Sequence, residues 1–449
     1  MRILIAGAGT IGVNLAASLA REGQEVVVID TDESRLESLQ GRVDCQTRTG
    51  NATSPLVLEE MGIRHTDLVV AVTHSDAENL MICQLAEFYR VREKLARVRN
   101  PEFFDPESII PSTHFGVDHF ISPEGISVDQ MERLVRCPGS TEAIDFAQHQ
   151  FVLRALPVSD DCSLAGEQLM TVHRELGGGF LIAAIRRGSR MLIPQGGETL
   201  RIGDSAYIAT THENIGRLTK AFVPQSKPAH KVVIFGAGVT GIELARRLSS
   251  FLQRVILLDD DPARARHAAE ILDPLGVEVL QGSALDEALL ARCHIETADF
   301  FIALSDDEEE NFMGALLSRK YTRGIPIVLT NQPHYVDIFE QAGLDIVINP
   351  RLLAVSAILR HIRSHSVMAV AKLYREETEI LEFKVPAKSP ITREPLRGFT
   401  MAQRGFLVMA VLRGRELVIP GGDYQVAPGD RVLVLADRDG ISAAEAMFR

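Results

Sequence analysis

The stretch Arg2-Ile3-Leu4-Ile5-Ala6-Gly7-Ala8-Gly9 recurs 229 residues downstream as Lys231-Val232-Val233-Ile234-Phe235-Gly236-Ala237-Gly238. The same offset relates Gly12 to Gly241, Asp30 to Asp259, Asp32 to Asp261 and Arg35 to Arg264. It then becomes 232, pairing Gly50 with Gly282, Ile63 with Ile295, Asp67 with Asp299 and Glu78-Asn79 with Glu310-Asn311. An insertion of three residues after the second strand of the second copy accounts for the change. A shorter repeat follows each long one. Phe180–Ile185 matches Phe406–Val411 at an offset of 226, as do Pro194 and Pro420, Gly196 and Gly422, and Gly203-Asp204 and Gly429-Asp430. The chain therefore reads A-B-A′-B′, a tandem duplication of a two-domain unit and not a solenoid. Its 449 residues exceed what a single hydrophobic core serves. We expect domains at 1–140, 141–225, 230–368 and 369–449, with the polar segment Pro224–Pro228 as the linker between halves.

Within module A, short apolar runs at Ile3–Ala6, Val26–Ile29 and Leu68–Val72 alternate with helix-like spacing at Ile11–Arg21 and Glu33–Gln40. Runs of this kind are buried parallel strands, and the alternation predicts a doubly wound α/β sheet with right-handed crossovers. Module B is shorter. Its strand-like runs (Leu181–Ile185, Ala206–Ala209) and Gly-rich turns predict a small α+β domain with mostly antiparallel strands.

The turn Gly7-Ala8-Gly9-Thr10-Ile11-Gly12 follows a strand and opens a helix, the setting that turns a weak GxGxxG match into a Rossmann-type dinucleotide motif. In that motif Gly7 permits the tight turn, Gly9 admits a pyrophosphate to the backbone, and Gly12 lets helix and strand approach. Backbone amides and the helix dipole then face the phosphates. Asp30, 18 residues after Gly12, stands where an acid hydrogen-bonds a ribose. Gly236-Ala237-Gly238-Val239-Thr240-Gly241 and Asp259 repeat the arrangement with the same spacing. The alternative for either copy is a relic whose glycines serve packing alone. Thr31, Asp32, Arg35 and Asp260 flank the acids. Asn51 and Ala52, with Ser283 and Ala284, follow the third strands. Thr73 and Ser305 end the fourth strands at the carboxyl edge, where ligands bind in such sheets. Ser75 and Asp307 are the helix caps beside them. Arg99, at a further strand end, is placed to reach a phosphate, and a solvated surface arginine fits the sequence equally well. The second copy has no arginine in Leu329-Thr330-Asn331-Gln332-Pro333. Neither acid is followed directly by arginine, which favours NAD or NADH over NADP; ATP or ADP satisfies the same phosphate-plus-ribose site.

Other function classes lose support. The net charge of −13 and the absence of Trp argue against nucleic-acid binding. Five cysteines without CxxC spacing read as free thiols in a reducing cytoplasm, and no metal site is expected. No run of about 18 apolar residues crosses a membrane, and the start of the chain does not read as a signal peptide. The histidines (His65, His74, His114, His119, His149 and His173 among them) do not repeat between the halves, and no catalytic residue is expected.

The glycine turns, Val28-Ile29-Asp30-Thr31-Asp32, the segment Ala71-Val72-Thr73 through Glu78-Asn79, Ala96–Pro101 and Gly203-Asp204, in the order A-B-A′-B′, resemble the TrkA family of RCK (KTN) domain proteins. The resemblance covers nearly the whole chain. It implies Rossmann modules that bind NAD(H) or ATP/ADP, each followed by an RCK C-terminal-type domain. It also implies assembly as a homo-oligomeric, commonly tetrameric, ring on the cytoplasmic face of the membrane. There the ring would regulate a potassium channel-like partner of the TrkH type, as a peripheral subunit without a span of its own. An NAD-dependent oxidoreductase, or a nucleotide-binding regulator of another ion transporter, is the alternative. One departure stands out: many relatives carry an Asp in the turn after the third strand, where this chain has Gly50-Asn51-Ala52 and Gly282-Ser283-Ala284.

Overall fold

The computed structural model describes all residues except 104–111, 147–150, 189, 364–367, 374–377, 415 and 449. The chain separates into two compact units: Met1–Ser127 with Asn331–Pro333 and Asn349–Leu359, and the remaining segments.

The first unit is built on β1 (Arg2–Ala6), β2 (Glu25–Asp30), β3 (Gln46–Thr49), β4 (Leu68–Ala71), β5 (Glu93–Arg97) and β6 (His119–Ile121). These form one parallel sheet in the order β3-β2-β1-β4-β5-β6. That order reverses direction beside β1, which creates a crevice at the carboxyl ends of β1 and β4. The central strands are buried on both faces, which is why they read as unbroken apolar runs. Leu4, Ala6, Val27, Val69 and Ala71 of the strands join Leu80 and Cys83 of the helix Asp76–Phe88 in a single core. Burial pushes the Cys83 thiol up to about 12, so it packs as an inert apolar group.

In the second unit, β7 (Glu142–Phe146), β8 (Phe151–Pro157), β9 (Phe180–Arg187), β10 (Arg190–Leu192) and β11 (Asp204–Thr211) form an antiparallel sheet in the order β10-β9-β11-β8-β7. A second parallel sheet follows: β12 (Lys231–Phe235), β13 (Arg254–Asp259), β14 (Glu278–Gln281), β15 (Phe300–Ala303), β16 (Ile325–Leu329) and β17 (Ile346–Ile348), in the order β14-β13-β12-β15-β16-β17. The last sheet comprises β18 (Met368–Leu373), β19 (Thr378–Lys384), β20 (Phe406–Arg413), β21 (Glu416–Val418) and β22 (Arg431–Asp437), in the order β18-β19-β22-β20-β21. Each sheet of the second half repeats the strand order of its first-half counterpart. The insertion inferred from the shifting offset has a physical form as well. The helix after β13, Pro262–Leu272, has 11 residues, against 8 in Glu33–Gln40 after β2.

The two antiparallel sheets share one core, in which Phe151, Ala184 and Tyr207 meet Ile380, Met409 and Leu435. Between these sheets lies a cavity of about 600 Å³ lined by matched positions of the two copies: Leu181 and Leu407, Pro194 and Pro420, Gly196 and Gly422. The repeated Gly-Asp pairs close matching ion pairs. Arg187 grips Asp204 through Nε and Nη2 at 2.8 and 2.9 Å, and Arg413 grips Asp430 through the same atoms at 2.9 and 2.8 Å.

Candidate functional site

At the end of β1 the chain turns at Gly7, whose φ of +111° disfavours any residue with a Cβ. A Cβ there would also lie 2.9 Å from the Val72 carbonyl oxygen, because the turn crosses the end of β4. Gly12 has a different reason: its Cβ would stand 1.8 Å from the Gly7 oxygen, so only glycine lets the helix Thr10–Arg21 start so close to the strand. Gly9 is different again. A Cβ on it would meet nothing within 4 Å, so the space above it is open. Gly236 (φ +112°), Gly241 (1.9 Å from the Gly236 oxygen) and Gly238 (open) repeat all three conditions.

The helix starts at these turns differ from their neighbours. Gly9 and Gly238 are the N-caps of Thr10–Arg21 and Val239–Ser249, and no side chain caps either helix. By contrast, Asp32, Ser75, Asp261 and Asp307 cap the helices that follow β2, β4, β13 and β15 with their own oxygens. The two glycine-turn helices therefore present amide N–H groups toward open space, where an anion can satisfy them.

The acids stand where the ribose reading puts them. The Asp30 carboxylate accepts from Ala8 N at 2.5 Å and from Asp32 N at 2.8 Å, which holds it at the end of β2 facing the turn. Asp259 accepts from Ala237 N at 2.6 Å and Asp261 N at 2.9 Å in the same manner. The surroundings of the two acids differ. Arg264 Nε lies 3.0 Å from Asp259 Oδ1. Its repeat partner Arg35 pairs with Asp32 at 3.2 Å instead. Thr31 and Asp260 are exposed beside the acids, and Asp260 sits 3.4 Å from Arg264 Nη2.

At the ends of β4 and β15 a buried asparagine organises the edge. Asn79 Oδ1 accepts from Thr73 N at 2.9 Å, and its amide donates to the carbonyls of Thr73 and Arg97, so the ends of β4 and β5 are tied together. Asn311 makes the matching bonds to Ser305 N, Ser305 O and Leu329 O. The hydroxyls of Thr73 and Ser305 accept from the amides of Ser75 and Asp307 at 3.2 Å each. The repeat of Glu78-Asn79 was visible in the sequence, but its role was not, because the partners come from two separate strands.

The other expected residues fall as follows. Ile11, Ala52 and Ala284 are buried, so their part in a ligand site rests on backbone groups. Asn51 Oδ1 accepts from Thr53 N and Thr53 Oγ1, closing the turn after β3. Ser283 accepts from Leu285 N and donates to Glu310. Thr10 and Thr240 are half-buried at the glycine turns, and Val239 is exposed. Arg99 donates to the His74 carbonyl at 3.0 Å and lies 3.8 Å from Asp76. Beside it is Arg97, which the sequence reading missed. Its guanidinium lies 3.9 Å from Glu124, and burial holds its pKa below the ordinary arginine value. His149 lies outside the described residues.

Residues 3–123 and 232–350 match the TrkA-N domain, and residues 153–223 and 380–449 match the TrkA-C domain. The chain belongs to the TrkA family. It is 30% identical over 455 residues to the Trk system potassium uptake protein TrkA of Vibrio alginolyticus, covering 100% of this chain and 99% of that relative. It is also 30% identical over 449 residues to the TrkA homolog of Archaeoglobus fulgidus, covering 100% of both. Among solved structures, the GsuK channel bound to NAD superposes with a TM-score of 0.62 at 18% identity, over 100% of this chain and 78% of that one. The GsuK RCK domain superposes with a TM-score of 0.62 at 19% identity, over 100% of this chain and 94% of that one. These two likenesses show the RCK fold; the family rests on the sequence matches. Among the described residues, no helix is long and apolar enough to cross a membrane.

Proposed function

We propose that this chain is a nucleotide-sensing regulatory subunit of a Trk-type potassium uptake system. It binds NAD(H), ATP or ADP at the two glycine turns. One observation carries the reading: an uncapped helix start, an open glycine and a fixed acid converge at a sheet edge, twice, on the same spacing. The names of the family relatives supply the transport context. Gly7–Gly12 and Gly236–Gly241 hold the phosphates through backbone amides, and Asp30 and Asp259 accept from ribose hydroxyls. The bound nucleotide supplies no chemistry here. It favours one conformation of the protein over another, and regulation is the resulting shift of population.

The chain acts without catalysis, as a homo-oligomeric ring, commonly a tetramer, on the cytoplasmic face of the membrane. There it meets a pore-forming partner of the TrkH type. The four-domain division at 1–140, 141–225, 230–368 and 369–449 belongs to the same reading.

Calorimetric titration of wild type, Asp30→Ala and Asp259→Ala with NAD, NADH, ATP and ADP tests the proposal. Loss of binding site by site, with NADH left unconsumed, is the expected result. Silence of both substitutions would reduce the glycine turns to packing devices. Steady NADH turnover would favour the oxidoreductase.

A further inference from the structure

We propose that Arg351 is a phosphate-binding residue of the first glycine-turn site, supplied to it by the second half of the chain. The inference rests on the nucleotide reading of that site and adds to it a specific ligand group, a nucleotide's terminal phosphate.

Arg351 belongs to the segment Asn349–Leu359, which folds as part of the first unit. Its Nη1 donates to Thr10 Oγ1 at 3.1 Å, across 341 residues of sequence. Thr10 opens the uncapped helix between Gly9 and Gly12, so the guanidinium stands beside the amides that face open space. Among the described residues, the Arg351 side chain makes this one hydrogen bond, and its acceptor is neutral. A guanidinium is built for a bidentate grip on a carboxylate or phosphate, and a lone hydroxyl leaves most of its donors unused.

The neighbouring charges point the same way. Arg97 lies within electrostatic reach of Arg99 and Arg351, which repel it, and of Glu124 and Asp76, which attract it. Arg97 is engaged by Glu124 at 3.9 Å and Arg99 by Asp76 at 3.8 Å. Among the described residues, Arg97 and Arg99 thus each face a carboxylate, while Arg351 forms no ion pair with one. A dianionic terminal phosphate on ADP or ATP answers a guanidinium held only by a hydroxyl better than the doubly esterified diphosphate of NAD, whose two phosphates carry one charge each.

The duplication supplies an internal comparison. Asn349-Pro350-Arg351 corresponds to Ser122-Pro123-Glu124, and Thr10 corresponds to Val239. The second copy thus has neither the hydroxyl nor, at the matching position, the cation. The Thr10–Arg351 pair marks the first site alone. Filling that site with a terminally phosphorylated nucleotide would tie Asn349–Leu359 to the first glycine turn, and NAD would do so less.

The test is calorimetry on full-length protein carrying Asp259→Ala, so that the first site titrates alone, with and without Arg351→Gln or Arg351→Lys. ADP, ATP and NAD are the probes. Arg351→Gln is expected to weaken ADP and ATP at least about tenfold while leaving NAD within about threefold, with Arg351→Lys intermediate. Nucleotide-free thermal unfolding of Arg351→Gln should match its parent. Unchanged ADP and ATP affinity in Arg351→Gln, with binding still abolished by Asp30→Ala, would overturn the inference and leave the site standing. Equal weakening of all three nucleotides would also overturn it, since that is the mark of a purely structural contact. If the parent binds no nucleotide, the site reading itself falls and the inference with it.

Discussion

Arg264 Nε lies 3.0 Å from Asp259 Oδ1, the oxygen that also accepts the Asp261 amide. At the first site, among the described residues, no arginine contacts Asp30. The two sites share a backbone plan but differ in how much acceptor capacity the acid has left for a ribose. Binding at the second site must first displace an ion pair. Removing Arg264 should therefore strengthen nucleotide binding at that site. We expect Arg264→Ala, measured by calorimetry in an Asp30→Ala background, to bind ADP a few-fold more tightly than its parent. Weaker binding in the variant would show that Arg264 contacts the ligand and does not compete with it.

The three glycines of each turn should separate fold from binding. Gly12→Ala drives a Cβ to 1.8 Å from the Gly7 oxygen and should cost about 3 kcal/mol of stability in chemical denaturation. Gly9→Ala meets no protein atom within 4 Å, yet it fills the open space where a phosphate would approach. It should unfold within about 0.5 kcal/mol of wild type and lose first-site binding. Normal affinity in a folded Gly9→Ala protein would move the phosphates away from this turn.

Asn79 is fully buried, and its bonds join the ends of β4 and β5. Asn79→Ala leaves the Thr73 amide and the Arg97 carbonyl without these partners. A loss of about 1–3 kcal/mol is expected from urea unfolding, with first-site affinity falling as the sheet edge loosens. Asn311→Ala should do the same at the second site. A change too small to measure would mean that water takes over the bonds.

Asp430 is 2% exposed. Burial alone would raise its pKa, but the Arg413 guanidinium and the Ala427 amide outweigh that and hold it below the usual carboxylate range. A carboxylate depressed in the folded state adds stability above its ordinary pKa of about 3.9, and the contribution is lost as pH falls through the depressed value. Asp430→Asn should therefore melt below wild type near neutral pH, with the gap narrowing below about pH 4. Melting curves followed by circular dichroism across that range decide it; a gap that does not change with pH would remove the ion pair as the cause.

What the sequence determined by itself is what neighbouring residues encode. Buried parallel strands need unbroken apolar runs, so Ile3–Ala6 and Val232–Phe235 announced themselves. A tight turn into a helix needs glycine at fixed spacing, so Gly7–Gly12 and Gly236–Gly241 were legible, and duplication made each signal count twice. The acids Asp30 and Asp259 followed from the length of one helix and one strand. Even the three-residue lengthening of Pro262–Leu272 could be read from a shift in offset.

Only the tertiary structure decided what depends on which chain ends meet. Asn79 gains its role because β4 and β5 lie side by side, and Asn311 repeats it. Arg264 turns to Asp259 while Arg35, in the same place in the repeat, turns to Asp32. Arg351 reaches Thr10 from 341 residues away. Local sequence constrains backbone conformation through sterics and burial over a few residues. A side-chain partner is selected by proximity in the folded molecule, and proximity between distant segments exists only once the sheets have formed.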